Sequence, residues 1–152
     1  MEIEYMQQMV KNPKLYGFVN EGMNLEEIKH LESVYNYENR FPKAFREYLY
    51  LGGNFSNIPF DDWGKGFEAM QKRMLKDLAD ENQSTERPFF AFDNTADCYL
   101  FIYLDEEVED PNVYVFIPFA ETFDMEFIKP NGYTFSEFVN ETIHRIKNDI
   151  PM

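Results

Sequence analysis

Residues 90–119 read FAFDNTADCYLFIYLDEEVEDPNVYVFIPF, strongly apolar runs joined by acid-rich connectors. The stretch holds seven carboxylates and neither Lys nor Arg. Its apolar runs are rich in aromatic and β-branched side chains and are bounded by turn-type residues, the pattern of strands. Strands are therefore expected at 89–92, 98–104, 112–119 and about 123–128, with DNTAD and DEEVEDP as hairpin connectors. Side chains alternate between the two faces of a strand. One parity collects Cys98, Leu100, Ile102, Leu104, Val113, Val115 and Ile117; the other collects Tyr99, Phe101, Tyr103, Tyr114 and Phe116. One sheet face is thus aliphatic and suited to helices, and the opposite face is aromatic.

Working outward, helical patterns flank the strands. Asn24 with Glu27 three residues on forms a capping box, and Leu25, Ile28, Leu31 and Tyr35 recur at helical spacing. Pro42 suits a first helical turn, Phe45, Tyr48 and Leu49 share the inward face of that helix, and Glu47 falls on the opposite one. Gly52-Gly53 provides its stop. A third amphipathic run turns Phe67, Met70, Met74, Leu75 and Leu78 inward, with Lys65, Lys72, Arg73 and Lys76 outward or flanking. A last helix opens with the capping box TFSE, Thr134 to Glu137, and carries Phe135, Phe138, Val139, Ile143 and Ile146 as its stripe. KNPKLYGFVNEG before the first long helix reads as loop. The expectation is a single α+β domain over residues 1–152: an antiparallel sheet of about four to six strands, helices mainly on one side and at both ends of the chain.

Charge narrows the function. The chain has 28 acidic and 14 basic side chains, a formal net charge of −14. Nucleic acid and anionic membranes need a positive footprint and are disfavoured as partners. Ten acids and no base lie between Pro88 and Ile128, which leaves 18 acids against 14 bases elsewhere. Charged connectors keep apolar strands soluble, but solubility does not require one sign. Cys98 is the only cysteine, so neither an intrachain disulfide nor a thiolate cluster is possible. The N-terminus lacks a signal peptide's apolar core, and no run approaches the ~20 apolar residues of a membrane span, so a cytoplasmic address is expected.

The order of elements, with NRFPKAFREYLYLGGN, RPFFAFDNTADCYLFIYLDEE, VYVFIPF and TFSEFV, resembles the SUKH superfamily. These are bacterial immunity proteins related to the yeast cell-wall-assembly regulator. The resemblance covers about residues 20–147. Phe41-Pro42 stands where Leu-Pro is usual, Gly52-Gly53-Asn54 permutes Asn-Gly-Gly, and Ala96-Asp97 lacks the turn glycine. It implies a non-enzymatic protein that binds and neutralises a cognate toxin, often a nuclease.

The residues leave other chemistry little footing. His30 and His144 fall off the apolar stripes of their helices and form no HExxH-type pair. Gly52-Gly53 ends a helix instead of opening one, so it is no phosphate cradle. Ser33, Ser56, Ser84 and Ser136 lie in no nucleophile elbow. Asp93, Asn94 and Asp97 lack the EF-hand order and its distal Glu, and read as turn formers. No catalytic residue, cofactor or metal is expected. Trp63 reads either as a core or lid aromatic or as a hot-spot anchor. The aromatic sheet face is either covered, by the N-terminal helix or the 54–64 loop, or left partly open as tyrosine anchors with an acidic rim. The candidate partner-contacting set is Trp63, Tyr99, Tyr103, Asp105, Glu106, Glu107, Glu109, Asp110 and Tyr114. Occlusion of a basic toxin surface is the leading reading. An adaptor with an endogenous partner is the alternative among binding proteins, and a metal-dependent hydrolase using the acids of 93–110 is the alternative from another class.

Overall fold

The DNTAD connector contracts to a two-residue turn. Ala96 (φ 53°) and Asp97 (φ 63°) both take left-handed backbone, as the tight turns that match strand twist require. Asp93, Asn94 and Thr95 continue the strand that was expected to end at 92. Their polar side chains are satisfied there: Asp93 Oδ1 accepts from Asp61 N at 2.7 Å and Thr95 Oγ1 at 2.9 Å, and Asn94 Nδ2 donates to Cys98 O at 3.0 Å.

In the computed structural model, which describes residues 1–151, a short helix α1 (Gln7–Lys11) precedes a small hairpin, β1 (Lys14–Leu15) and β2 (Phe18–Val19), where loop was expected. Helices α2 (Leu25–Tyr35), α3 (Lys43–Gly52) and α4 (Gly66–Asp80) follow. Next come β3 (Phe89–Thr95), β4 (Cys98–Tyr103), β5 (Asn112–Phe116), a 3-10 turn at Ala120–Phe123, β6 (Ile128–Thr134) and α5 (Phe135–Lys147). The four long strands form one antiparallel sheet in the order β3-β4-β5-β6. The chain is a single α+β domain with helices at both ends. Among the described residues no helix is long and apolar enough to cross a membrane.

The final strand lies later than expected. Residues 123–127 are not strand; β6 begins at Ile128 and runs through Pro130-Asn131-Gly132, a tripeptide with the composition of a turn. An edge strand tolerates proline, and the register skips residues 131–133 in a bulge where Gly132 sits at φ 100°. A bulge bends a strand without ending it, so turn composition misplaced this element.

The parity argument holds. Phe90, Phe92, Ile102, Leu104 and Val113 pack with Met9 of α1, Ile28 of α2, Phe45 and Leu49 of α3, and Val139 and Ile143 of α5. Ala91, Tyr99, Phe101, Tyr103 and Phe116 on the opposite face pack under Met70, Met74 and Leu78 of α4. The cover over the aromatic face is therefore α4, not the N-terminal helix or the 54–64 loop. Leu25 and Leu75 stand exposed at the margins of their helices instead of facing inward.

Helix α4 also seals the free edge of β3. Gln71, buried, donates from Nε2 to Ala91 O at 2.8 Å and accepts at Oε1 from Ala91 N at 2.7 Å. One side-chain amide replaces the neighbouring strand that an edge lacks. Gln71→Met keeps the volume but leaves a buried donor and acceptor unpaired, at ~1–3 kcal/mol for each. Urea denaturation should show that loss, whereas Lys72→Met, exposed next door, should change stability by less than ~0.5 kcal/mol. Equal midpoints for the two variants would refute the sealing role.

Both capping boxes form, Asn24 with Glu27 and Thr134 with Glu137. Pro42 is the N-cap of α3 and not its first helical residue. The glycine pair after it acts by size: a Cβ on Gly53 (φ −67°) would stand 2.6 Å from Leu49 O, and one on Gly52 would touch Met9 Cε at 3.0 Å.

Glu47 contradicts its expected solvent-facing position. It is 0% exposed, and its Oε1 accepts the backbone N–H of Glu4 (3.1 Å), Tyr5 (2.8 Å) and Met6 (3.0 Å). Lys43, one helical turn earlier, lies 3.4 Å from Oε2. Helical periodicity sets the face, but the N-terminal segment folds over that face and buries it. Glu32 plays a related role between α2 and α3, accepting from Phe41 N at 2.6 Å and pairing with Arg46 Nε at 3.1 Å.

Candidate functional site

The β4–β5 connector is less free than its composition suggests. Arg87, immediately before the base-free segment, forks onto Asp105, with Nη2 2.7 Å from Oδ1 and Nε 3.0 Å from Oδ2. This guanidinium holds the Asp105 carboxyl below the usual carboxylate range. The same guanidinium lies 3.6 Å from the Tyr103 ring centroid and 3.9 Å from Glu106 Oε2. Glu106 also accepts the Tyr114 hydroxyl at 2.9 Å. Asp105, Glu106, Tyr103 and Tyr114 thus form one internally bonded cluster closed by a base.

Asp110 is engaged as well. Its carboxylate accepts from Thr134 Oγ1 at 2.8 Å and from Ser136 N at 2.9 Å, holding the first turn of α5 against the start of β5. An anion at a helix N-terminus is favoured by the unpaired amides there. Glu109 takes the Tyr5 hydroxyl at 2.8 Å and remains exposed, as does Glu107. Of the expected rim, Asp105, Glu106 and Asp110 are bonded within the fold, with Asp105 still exposed, and Glu107 and Glu109 face solvent beside it.

Two of the three tyrosines are covered. Tyr99 is fully buried under α4, and Tyr103 nearly so, because α4 and Arg87 cover the face that alternation assigned to them. Tyr114 is half-buried. Trp63 is 49% exposed, with its Nε1 donating to Asn94 O at 3.0 Å and the Arg73 guanidinium 4.1 Å from its ring centroid. Its left-handed backbone (φ 60°) is set in a turn where Asp61 Oδ1 accepts Trp63 N at 2.7 Å. It is a clamp on the β3 edge with one side of the indole open.

The acids face solvent together elsewhere. A cleft of about 550 Å³ opens between the C-terminal end of α4, the β3–β4 turn and the β5–β6 connector. Asp77, Glu81, Asp97 and Glu121 line it with Pro118, Phe119 and Thr122, and no Lys, Arg or His does. The Tyr99 hydroxyl donates to Asp77 Oδ2 at 2.6 Å, so the buried tyrosine fixes one wall from below. The nearest bases on α4 are engaged: Lys76 with Asp80 at 2.7 Å, and Arg73 with the Trp63 ring and Asn94 Oδ1 at 3.3 Å.

The connector forming the other wall is a closed excursion from the sheet. Ile117 N donates to Phe127 O at 2.8 Å across its base, Met125 N donates to Ala120 O at 2.9 Å, and Ala120 is buried. Left-handed Asp124 (φ 54°) ends its 3-10 turn. Its outer side presents Phe119 (41% exposed), Phe123 (63%) and Met125 (39%) among Glu121, Asp124 and Glu126. Sequence reasoning placed strand at 112–119 and about 123–128, across most of this segment, and left Asp77 and Glu81, which lie on α4, out of the acid count. Three carboxylates interleaved with three phenylalanines within 118–127 were the available signal.

A second, more enclosed cavity of about 320 Å³ lies between the end of α3, the 54–65 loop and the start of α4, with Tyr48, Phe60, Phe67 and Phe92 among its walls. Burial pushes the Tyr48 hydroxyl up to about 12. Among the described residues no three His, Cys, Asp or Glu side chains converge in a metal-holding arrangement. Asp93 is bonded to Asp61 N and Thr95, and its pKa is raised by burial.

Comparison with protein families, characterised proteins and solved structures found no match to this chain.

Proposed function

We propose that this protein is an immunity-type binding protein that occupies the basic surface of a cognate toxin, with the phosphate-binding groove of a nuclease as the leading target. The observation that carries the reading is a base-free segment whose exposed acids stand on the connectors at both ends of the sheet. Glu107, Glu109, Glu121, Asp124 and Glu126 all face solvent on connectors of one sheet, within a segment that contains no base. A nuclease is positive where it holds phosphates, so an acidic protein competes for that groove. The resemblance of NRFPKAFREYLYLGG and the strands after it to SUKH proteins supports the same reading.

Electrostatics accelerates encounter by ~10 to 10³-fold, and raised salt removes that gain. An exposed ion pair adds only ~0.2–1 kcal/mol, so slow dissociation requires buried apolar contact. The test is co-expression with the basic C-terminal domain of a toxin encoded beside this gene. Restored growth and a stoichiometric complex on a sizing column are expected. Continued toxicity with both proteins present and no complex would overturn the proposal.

A further inference from the structure

We infer that the partner docks on the cleft between α4, the β3–β4 turn and the 118–127 connector, and that it presents a basic polypeptide surface carrying an apolar side chain. The inference rests on the binding reading above and moves it from the β4–β5 loop to the opposite end of β4. The β4–β5 loop has its own counter-ion in Arg87, whereas no base lines the cleft.

Two independent features fix the occupant. The cleft carries four carboxylates on three separate elements, so a bound surface meets negative charge from both walls. Phe119 lines the connector wall, and Phe123, 63% exposed beside the cleft, packs edge to face against Phe119 with centroids 5.8 Å apart. Exposed aromatics beside a charged rim supply the apolar contact that charge alone lacks. Nucleic acid and anionic lipid are repelled by the same carboxylates, leaving a cationic protein surface as the complementary partner. The connector is closed by backbone hydrogen bonds at its base and anchored by Ala120, so its shape is present before binding.

Tyr99 is a positioning residue here. Its hydroxyl orients Asp77 without reaching solvent, which gives the buried tyrosine a part in recognition that its exposure denies it directly.

The test uses two synthetic dodecapeptides, arginine alternating with leucine and arginine alternating with glycine, titrated into the isotopically labelled full chain. Amide shift changes should saturate and concentrate at residues 77–81, 96–98 and 118–126. A variant combining Glu81→Gln, Asp97→Asn and Glu121→Gln should weaken peptide binding about tenfold, the combined effect of three exposed pairs. The control combination Glu106→Gln, Glu107→Gln and Glu109→Gln should change it less than about twofold. Phe123→Ser should reduce the leucine peptide toward the affinity of the glycine peptide. Shifts centred on 105–109, equal effects of the two triple variants, or no saturable binding would each overturn the assignment. Toxin rescue separates the two proposals. A toxin neutralised equally well by the cleft variant leaves the immunity reading standing and removes this surface. Peptides that saturate the cleft without any toxin being neutralised do the reverse.

Discussion

Glu47→Ala is expected to lower stability by about 3–5 kcal/mol, the range for removing one member of a buried charged set. The carboxylate is wholly buried and accepts three consecutive backbone amides, from Glu4, Tyr5 and Met6. Its removal leaves those donors without an acceptor and releases the segment that seats Met6 and Met9 in the core. Glu47→Gln keeps one acceptor oxygen and should lose less. Urea midpoints measure the cost, and limited proteolysis near the N-terminus reports release of the strap. A Glu47→Ala shift below about 1 kcal/mol would show that the strap contributes no stability through this residue.

The second large effect is Phe45→Ala, at about 3–5 kcal/mol for truncating a buried phenylalanine. Phe45 is fully buried, and its ring meets Phe90 at 4.9 Å, Phe41 at 5.3 Å and Phe135 at 5.4 Å between centroids. It therefore joins α3 to the sheet and to α5, and no single neighbour can relax to fill the space. Tyr50→Ala, on the exposed side of the same helix, should stay within about 0.5 kcal/mol. Matching unfolding midpoints for Phe45→Ala and Tyr50→Ala would contradict the packing described.

These two substitutions mark where sequence reading succeeds and where it stops. Phe45 is legible because its burial follows from helical spacing with Tyr48 and Leu49. The capping boxes at Asn24 and Thr134 are legible for the same reason, since each is complete within four residues. So is the sorting of β4 and β5 into an aliphatic and an aromatic face, though β3 adds Phe90 and Phe92 to the aliphatic one. Glu47 is not legible, because its partners lie some forty residues earlier and no local pattern announces them. Gln71 looks like any polar residue of an amphipathic helix until Ala91 is placed beside it. Arg87 escaped for an arithmetic reason: it sits one residue outside the segment whose lack of bases was counted, yet it pairs with an acid inside it. The burial of Tyr99 and Tyr103 is not legible either. Alternation assigns a face correctly and says nothing about which helix lies over it. The acidic cleft joins α4 to two loops more than fifteen residues away in sequence, so only the folded arrangement assembles it.

The treatment of the sheet edges constrains how recognition can evolve. On β3 the amide of Gln71, Asp61 and the Trp63 indole occupy backbone groups of the outer edge, and on β6 Pro130 and the bulge before Thr134 interrupt it. A partner cannot extend this sheet with a strand of its own, so main-chain complementarity, which is indifferent to sequence, is closed to it. Everything a partner can read is then a side chain on a turn or helix end. Such positions change one at a time without disturbing strand register. Under the proposed immunity function, successive generations of the protein can follow a drifting toxin by altering a few surface letters while the frame that displays them stays fixed.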